Sequence, residues 1–274
     1  TLGVLREATV RLVPLPQYTI LGVLEYSSVQ AACEAVEGLL AMNPSAIELI
    51  PQTILRAARS LPAYASLVDW VRDDPNAILV VEFSGNNPQE LRQRIQLLGE
   101  DALVAVSAED QKKIWAVRKV GLGLLNARHG QPKAIAFIED LAVPVEHLAQ
   151  FVQEMDAILA EHGTTAEIYA HASAGCLHIR PLLNLRSARG VSDLRLIAQE
   201  AVQLTLRLGG AISGEHGDGL ARSEWLAEQY GDDLVAAMRI LKTAADPAEI
   251  LNPGKILPVK GQRIPQMDKR RSEK

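Results

Sequence analysis

Apolar positions along the chain recur with two periods, and the periods alternate. Tyr18–Tyr26 is dense in Ile, Leu and Val and reads as a strand. Val29, Cys33, Val36 and Leu40 then recur at helical spacing, with Ser27-Ser28 as the cap and Asn43-Pro44 as the stop. Ala46–Ile50 is a returning strand. The pattern repeats with a strand over Ala77–Phe83, a helix opened by Asn87-Pro88 that runs to about Leu98, and a strand over Ala102–Ser107. A third unit has a strand over Ala134–Val143 and a helix over Pro144–His162. Val145, Leu148, Val152, Met155 and Leu159 share one face of that helix, and Gly163 ends it. Ala166–Ala170 is the next strand. Strand–helix–strand units with returning strands predict an α+β fold, a ferredoxin-like antiparallel sheet covered by helices.

The last third changes character. Ser192 is the expected cap of a helix with Leu194, Ile197, Ala201, Leu204 and Leu208 on one stripe, stopped by Gly209-Gly210. A glycine-rich segment, Ser213–Gly219, precedes short helices around Ser223–Tyr230 and Asp232–Ala245, so this third is mostly helical. Residues 1–258 are expected to form the domain. The polar and basic 259–274 reads as an exposed linker or tail.

Composition narrows the function classes. The chain has 274 residues, 48% hydrophobic and 22% charged, which fits a globular core and excludes a disordered chain. Its net charge of -5 argues against a nucleic-acid binder, and 4% aromatics leave few stacking platforms for bases. Cys33 and Cys176 cannot build a disulfide scaffold and fit a reducing compartment. No apolar run approaches the ~18–20 residues of a membrane helix. The chain opens on Thr1-Leu2-Gly3 without a signal peptide, as expected of a processed protein or a piece of a longer one. Neither Gly121-Leu122-Gly123 nor Gly214–Gly219 sits in a strand–GxGxxG–helix arrangement, and no phosphate-binding loop is present. A nucleotide site built wholly from this chain is therefore not expected.

The candidate chemistry lies in two segments. His171 and His178 stand at the ends of a small-residue loop joining two strands, which can bring both imidazoles to one side. Glu215 completes a two-His-one-carboxylate site with open positions, suited to a catalytic Zn²⁺ or to Fe or Mn. His216 lies beside it, and a neutral imidazole there can accept a proton. The spacing alone is weak, because strand histidines are more often ordinary hydrogen-bonding residues. Glu215-His216 between glycines also reads as a turn. Cys176, between the two histidines, is read as a small core residue rather than a fourth ligand.

Five motifs in order resemble one family. They are Thr1–Thr9, Phe137–Pro144, His171–His178, Ser213–Leu220, and Asp246-Pro247 through Lys255. The third resembles His-x-Gly-Asp-Gly-Asn-x-His, and the fourth is similar to Ser-Gly-Glu-His-Gly. Together they look like the C-terminal substrate and cap domain of FAD-linked oxidases of the D-2-hydroxyacid dehydrogenase type. That group is vanillyl-alcohol-oxidase-like and includes D-lactate, D-2-hydroxyglutarate and glycolate enzymes. The resemblance implies oxidation of a D-2-hydroxyacid to a 2-oxoacid by hydride transfer to FAD. The FAD is bound mainly by an N-terminal domain absent from this chain, so the piece alone is expected to be inactive. It implies His171, His178 and Glu215 as ligands of a divalent metal, Zn first, His216 as the proton acceptor, and Arg118 and Arg180 as substrate-carboxylate ligands. The cofactor-binding residues stay unassigned. The partners implied are a small 2-hydroxyacid and an electron acceptor, for which an iron–sulfur domain past Lys274 is one candidate. The expected location is cytoplasmic, with attachment to the inner membrane surface left open. Ser173-Ala174-Gly175-Cys176 departs from the family's Gly-Asp-Gly-Asn core. Two other readings stay open: a flavin-dependent transferase of the alkyl-glycerone-phosphate synthase type, and a non-catalytic ligand-binding or assembly domain.

Overall fold

A computed structural model describes residues 2–126 and 130–257. The first half runs β1 (Tyr18–Tyr26), α1 (Val29–Leu40), β2 (Ala46–Pro51), α2 (Gln52–Ser60), β3 (Ala77–Gly85), α3 (Pro88–Gln96), β4 (Leu103–Ala105) and α4 (Ala108–Asn126). The second runs β5 (Lys133–Ala134), β6 (Ile138–Ala142), α5 (Leu148–Glu161), β7 (Ala166–His171), β8 (Cys176–Leu183), α6 (Ala188–Arg207), α7 (Leu226–Tyr230) and α8 (Asp232–Ala245). The strands lie in the order β4-β1-β3-β2-β7-β8-β5, with β6 also paired to β8, and every pairing is antiparallel. The order β4-β1-β3-β2 is that of a ferredoxin-like unit. The outer edge of β2 extends it into the second half through β7, so the predicted α+β sheet is what forms.

Alternation along the strands divides the core in two. Ile47, Leu49, Leu79 and Val81 point to one face, where α1, α5 and α6 bury Val36, Phe151, Met155 and Ile197. Leu21, Val23, Ile50, Ile78 and Val80 point to the other, under Ile54 and Leu55 of α2 and Ile114 and Val117 of α4. Each fully buried Leu, Ile or Phe contributes ~1.5–3 kcal/mol, so these two layers are the main source of stability. A cleft lies beside the second layer, with Trp115, Arg118 and Lys119 of α4 in its wall.

Several predicted boundaries move. The last long helix is capped by Ser187, whose hydroxyl accepts from Gly190 N at 3.1 Å. Ser192 therefore lies inside it. The expected strand over Ala134–Val143 splits into β5 and β6, and β6 carries a bulge between Ile138 and Leu141. The Pro144–His162 helix starts as one tight turn at Val145–His147 before α5. Helix α2 was not predicted. It leaves β2 directly at Pro51, without a capping side chain, so no boundary signal precedes it. The expected tail, 259–274, lies outside the described residues. Among the described residues no helix is long and apolar enough to cross a membrane.

Candidate metal centre and substrate cleft

The register of three strands builds the floor of the site. Tyr169 of β7 faces His178 of β8, and His171 faces Cys176. His171 and His178 are thus diagonal neighbours on one face, their rings 5.1 Å apart and nearly perpendicular. On the other side of β7, Glu48 of β2 lies directly across from His171. The turn between the histidines, Ala172–Ala174, is closed by Gly175 at φ 66°. A Cβ at Gly175 would stand 1.9 Å from the Val143 carbonyl oxygen, so the tight joint needs glycine. The Ser173 hydroxyl accepts from Ile47 N at 3.1 Å and ties the turn to β2.

Glu215 arrives on the glycine-rich loop, and Asp140 of β6 shapes that loop. The Asp140 carboxylate is fully buried and accepts from Ser213 Oγ at 2.6 Å, Glu215 N at 3.0 Å and His216 N at 2.9 Å. Arg222 approaches Asp140 at 3.6 Å and donates to the Gly217 carbonyl through both Nε and its terminal nitrogen. Burial alone would raise the Asp140 carboxyl. Its three donors, Ser213, His216 and Glu215, together with the Arg222 charge, outweigh burial and hold it below its ordinary value.

His171, His178 and Glu215 then converge. Glu215 Oε1 is 3.4 Å from His171 Nε2 and 3.3 Å from His178 Nε2, and the three donor atoms lie within 4.8 Å of one another. Ligands bound to Zn²⁺ at ~2.0–2.2 Å in tetrahedral geometry stand ~3.4 Å apart, so the spacing fits a cation. The far ring nitrogens fit as well. His171 Nδ1 lies 2.6 Å from Glu48 Oε1, and His178 Nδ1 lies 2.6 Å from the Glu139 carbonyl oxygen. A carbonyl only accepts, so His178 Nδ1 carries the hydrogen and Nε2 presents its lone pair to the centre. The Glu48 bond raises the His171 imidazole above its ordinary value against the effect of burial, whereas burial lowers His178. A second acidic group, Asp140 with Glu215 and His216, comes equally close. The Asp140 oxygens are already spent on the loop, so it is a structural cluster.

His216 stands beside His171, His178 and Glu215. Its ring stacks on His178 at 5.4 Å and 21°, with Nε2 3.2 Å from Glu215 Oε1 and Nδ1 3.7 Å from Asp140 Oδ1. Cys176 is buried. Desolvation, with Asp140 and Glu215 nearby, pushes its thiol up to about 12. It is a protonated core residue, as the sequence suggests.

Glu48, Tyr169, His171, His178, Glu215 and His216 line a cleft of about 900 Å³, together with Trp115, Arg118 and Lys119 of α4 and Arg180 of β8. Arg118 donates Nε to Glu48 Oε2 at 2.8 Å, and its guanidinium lies 4.8 Å from the centre of the Tyr169 ring. Arg180 is only 6% exposed. One terminal nitrogen donates to Asn126 Oδ1 at 3.0 Å, the other pairs with Glu139, and Nε has no hydrogen-bond partner among the described residues. All six predicted site residues therefore meet in one place. The sequence reading missed Glu48, Glu139 and Asp140. The signals available were a lone acid in the apolar strand Ala46–Pro51 and the paired acids in Phe137–Pro144.

The sequence matches a known family. The model of FAD linked oxidases, C-terminal domain, matches residues 15–256, and the chain belongs to that family. It is 34% identical to a D-2-hydroxyglutarate dehydrogenase of Pseudomonas putida over 93% of this chain and 27% of that protein. It is also 27% identical to the mitochondrial D-lactate dehydrogenase [cytochrome] of Arabidopsis thaliana, over 94% of this chain and 46% of that protein. The chain thus spans about a quarter to a half of the length of these relatives. The crystal structure of p-cresol methylhydroxylase with substrate bound shares the fold, with a TM-score of 0.62 and 13% identity over 91% of this chain and 55% of that one.

Proposed function

We propose that the chain is the substrate-binding and catalytic cap of a FAD-dependent dehydrogenase that oxidises a D-2-hydroxyacid to the 2-oxoacid. The observation that carries this reading is the convergence of His171, His178 and Glu215 at the floor of a cleft walled by Arg118. The names of the relatives supply the reaction class. The terminal nitrogens of Arg118 take the substrate carboxylate, because its Nε is spent on Glu48. Arg180 adds a second, deeper positive charge whose position Glu139 and Asn126 fix. His171, His178 and Glu215 would hold a divalent cation, for which Zn²⁺ fits, and when bound it supplies the Lewis acidity that lowers the proton affinity of the substrate hydroxyl. FAD, when bound, supplies the acceptor for the electron pair leaving the substrate carbon. His216 receives the hydroxyl proton on Nε2, with the buried Asp140 carboxylate on its Nδ1 side to favour the imidazolium.

In this reading FAD is bound mainly by chain outside these 274 residues, so the chain alone folds without turnover. The test is bleaching of bound flavin in the full-length protein by a panel of D-2-hydroxyacids. Bleaching by at least one of them is expected, and none by the L-enantiomers. A flavin that stays oxidised with every hydroxyacid would refute the reading, as would stoichiometric FAD and turnover in the 274-residue chain alone.

A further inference from the structure

Glu48 is a charged residue in a strand that is otherwise wholly apolar, and it is 8% exposed. Burying a carboxylate costs several kcal/mol unless it is paired and hydrogen-bonded. Its two oxygens go to two different functional side chains. Oε1 lies 2.6 Å from His171 Nδ1, and Oε2 lies 2.8 Å from Arg118 Nε. The three residues come from β2, β7 and α4, so the contact exists only in the folded sheet. Strand register sets the first bond, since Glu48 and His171 are directly opposed. The second bond draws Arg118 across from the helix onto the Tyr169 ring.

From this geometry, and resting on the function proposed above, we infer that Glu48 is a positioning residue that couples the metal centre to the carboxylate-binding arginine. An ionised carboxylate only accepts hydrogen bonds. At 2.6 Å it fixes the hydrogen of His171 on Nδ1, turns the Nε2 lone pair toward His178 and Glu215, and makes that nitrogen a better donor. The same carboxylate occupies Arg118 Nε and leaves the terminal fork toward the cleft. One buried charge thus sets the angle between the group that holds the hydroxyl and the group that holds the carboxylate. His178 has a different device for the same need, the Glu139 carbonyl. A carbonyl fixes the tautomer but carries no full charge and touches no arginine, so the coupling belongs to Glu48.

Glu48→Gln keeps the volume but offers one acceptor and one donor to two donors, so one of the two bonds must fail. Zn²⁺ affinity, measured by competition with a chromophoric chelator, should fall about 10–100-fold in this variant, as is usual when the outer partner of a metal-bound histidine is lost. In the flavin-containing full-length protein KM for the hydroxyacid should rise as well, while Glu48→Asp recovers part of both. The wild-type chain gives an answer that needs no variant. The ¹⁵N spectrum of His171 in metal-free protein should show the hydrogen on Nδ1, bonded to a carboxylate. A neutral His171 ring with its hydrogen on Nε2 instead of Nδ1, or a Glu48→Gln protein that folds and binds Zn²⁺ with unchanged affinity and unchanged KM, would overturn the inference. If wild-type protein binds no divalent metal at all while the tautomer is as described, the metal reading fails and the positioning of His171 and Arg118 stands.

Discussion

Arg118 meets the protein through Nε and through the face of Tyr169, and its forked end is the part available to a substrate. Arg118→Ala should lower kcat/KM for the hydroxyacid by ~10–100-fold, which corresponds to about 1–3 kcal/mol for a charged contact. Arg118→Lys should recover little of this, because an ammonium cannot bond Glu48 sideways and present a fork forward. Steady-state kinetics of the three proteins decide the point, and equal kcat/KM would remove Arg118 from the substrate site. Asp140 acts differently, since it touches backbone N–H groups of the Glu215 loop and no open part of the cleft. Asp140→Asn places an amide donor against donors and should cost on the order of 3 kcal/mol of stability, visible in a denaturant titration. These two residues mark the limit of sequence reading. Arg118 entered as a candidate through the family resemblance alone, at a position outside the five motifs. The partner that aims it, Glu48, lies 70 positions away in sequence, and only the pairing of β2 with β7 and the crossing of α4 bring them together.

The elements were legible in proportion to their periodicity. Strands β1 and β3 and helix α1 follow their apolar patterns closely, the strands as runs buried on both faces and the helix as one buried stripe, whereas α8 keeps its expected bounds with no buried residue. Helix α2 was hidden by its direct exit from β2, and the true cap Ser187 was masked by Ser192 one turn further on. Helix α8 shows how an end is secured. It stops at Ala245, and the Asp246 carboxylate accepts from Lys242 Nζ at 2.6 Å, Ile250 N at 3.0 Å and Leu251 N at 2.9 Å. The Lys242 bond, helped by these two N–H groups, holds the Asp246 carboxyl below its ordinary value of 3.8. A carboxyl depressed in the folded state stabilises the fold above its unfolded value, and that contribution is lost as pH falls through the folded value. Wild type should therefore be more stable than Asp246→Asn at neutral pH, and the gap should close as pH drops below about 4. Thermal melts of both proteins across pH 2.5–7 measure it, and a gap independent of pH would show that the charge of Asp246 is not what fastens this end.

At the scale of the whole molecule, one sheet does two things. Its first half supplies Glu48 and the layer under α2 and α4, and its second half supplies His171, His178 and Arg180 on one face. The cleft opens where those halves join. That junction is invisible in the repeated strand–helix pattern, because two similar units can abut through several edges and only the β2–β7 register selects this one. The relatives are roughly two to four times longer than this chain, which accords with a cap that faces a flavin supplied elsewhere. In the proposed function His171, His178 and Glu215 hold a cation needed to oxidise a D-2-hydroxyacid. This is tested most directly by the rate at which D-2-hydroxyglutarate bleaches the flavin of full-length protein after removal of divalent metal and again after reloading with Zn²⁺. Bleaching should slow by orders of magnitude in the stripped protein and return on reloading, and reloading should fail to restore it in His171→Ala. Undiminished bleaching by demonstrably metal-free protein would contradict the account.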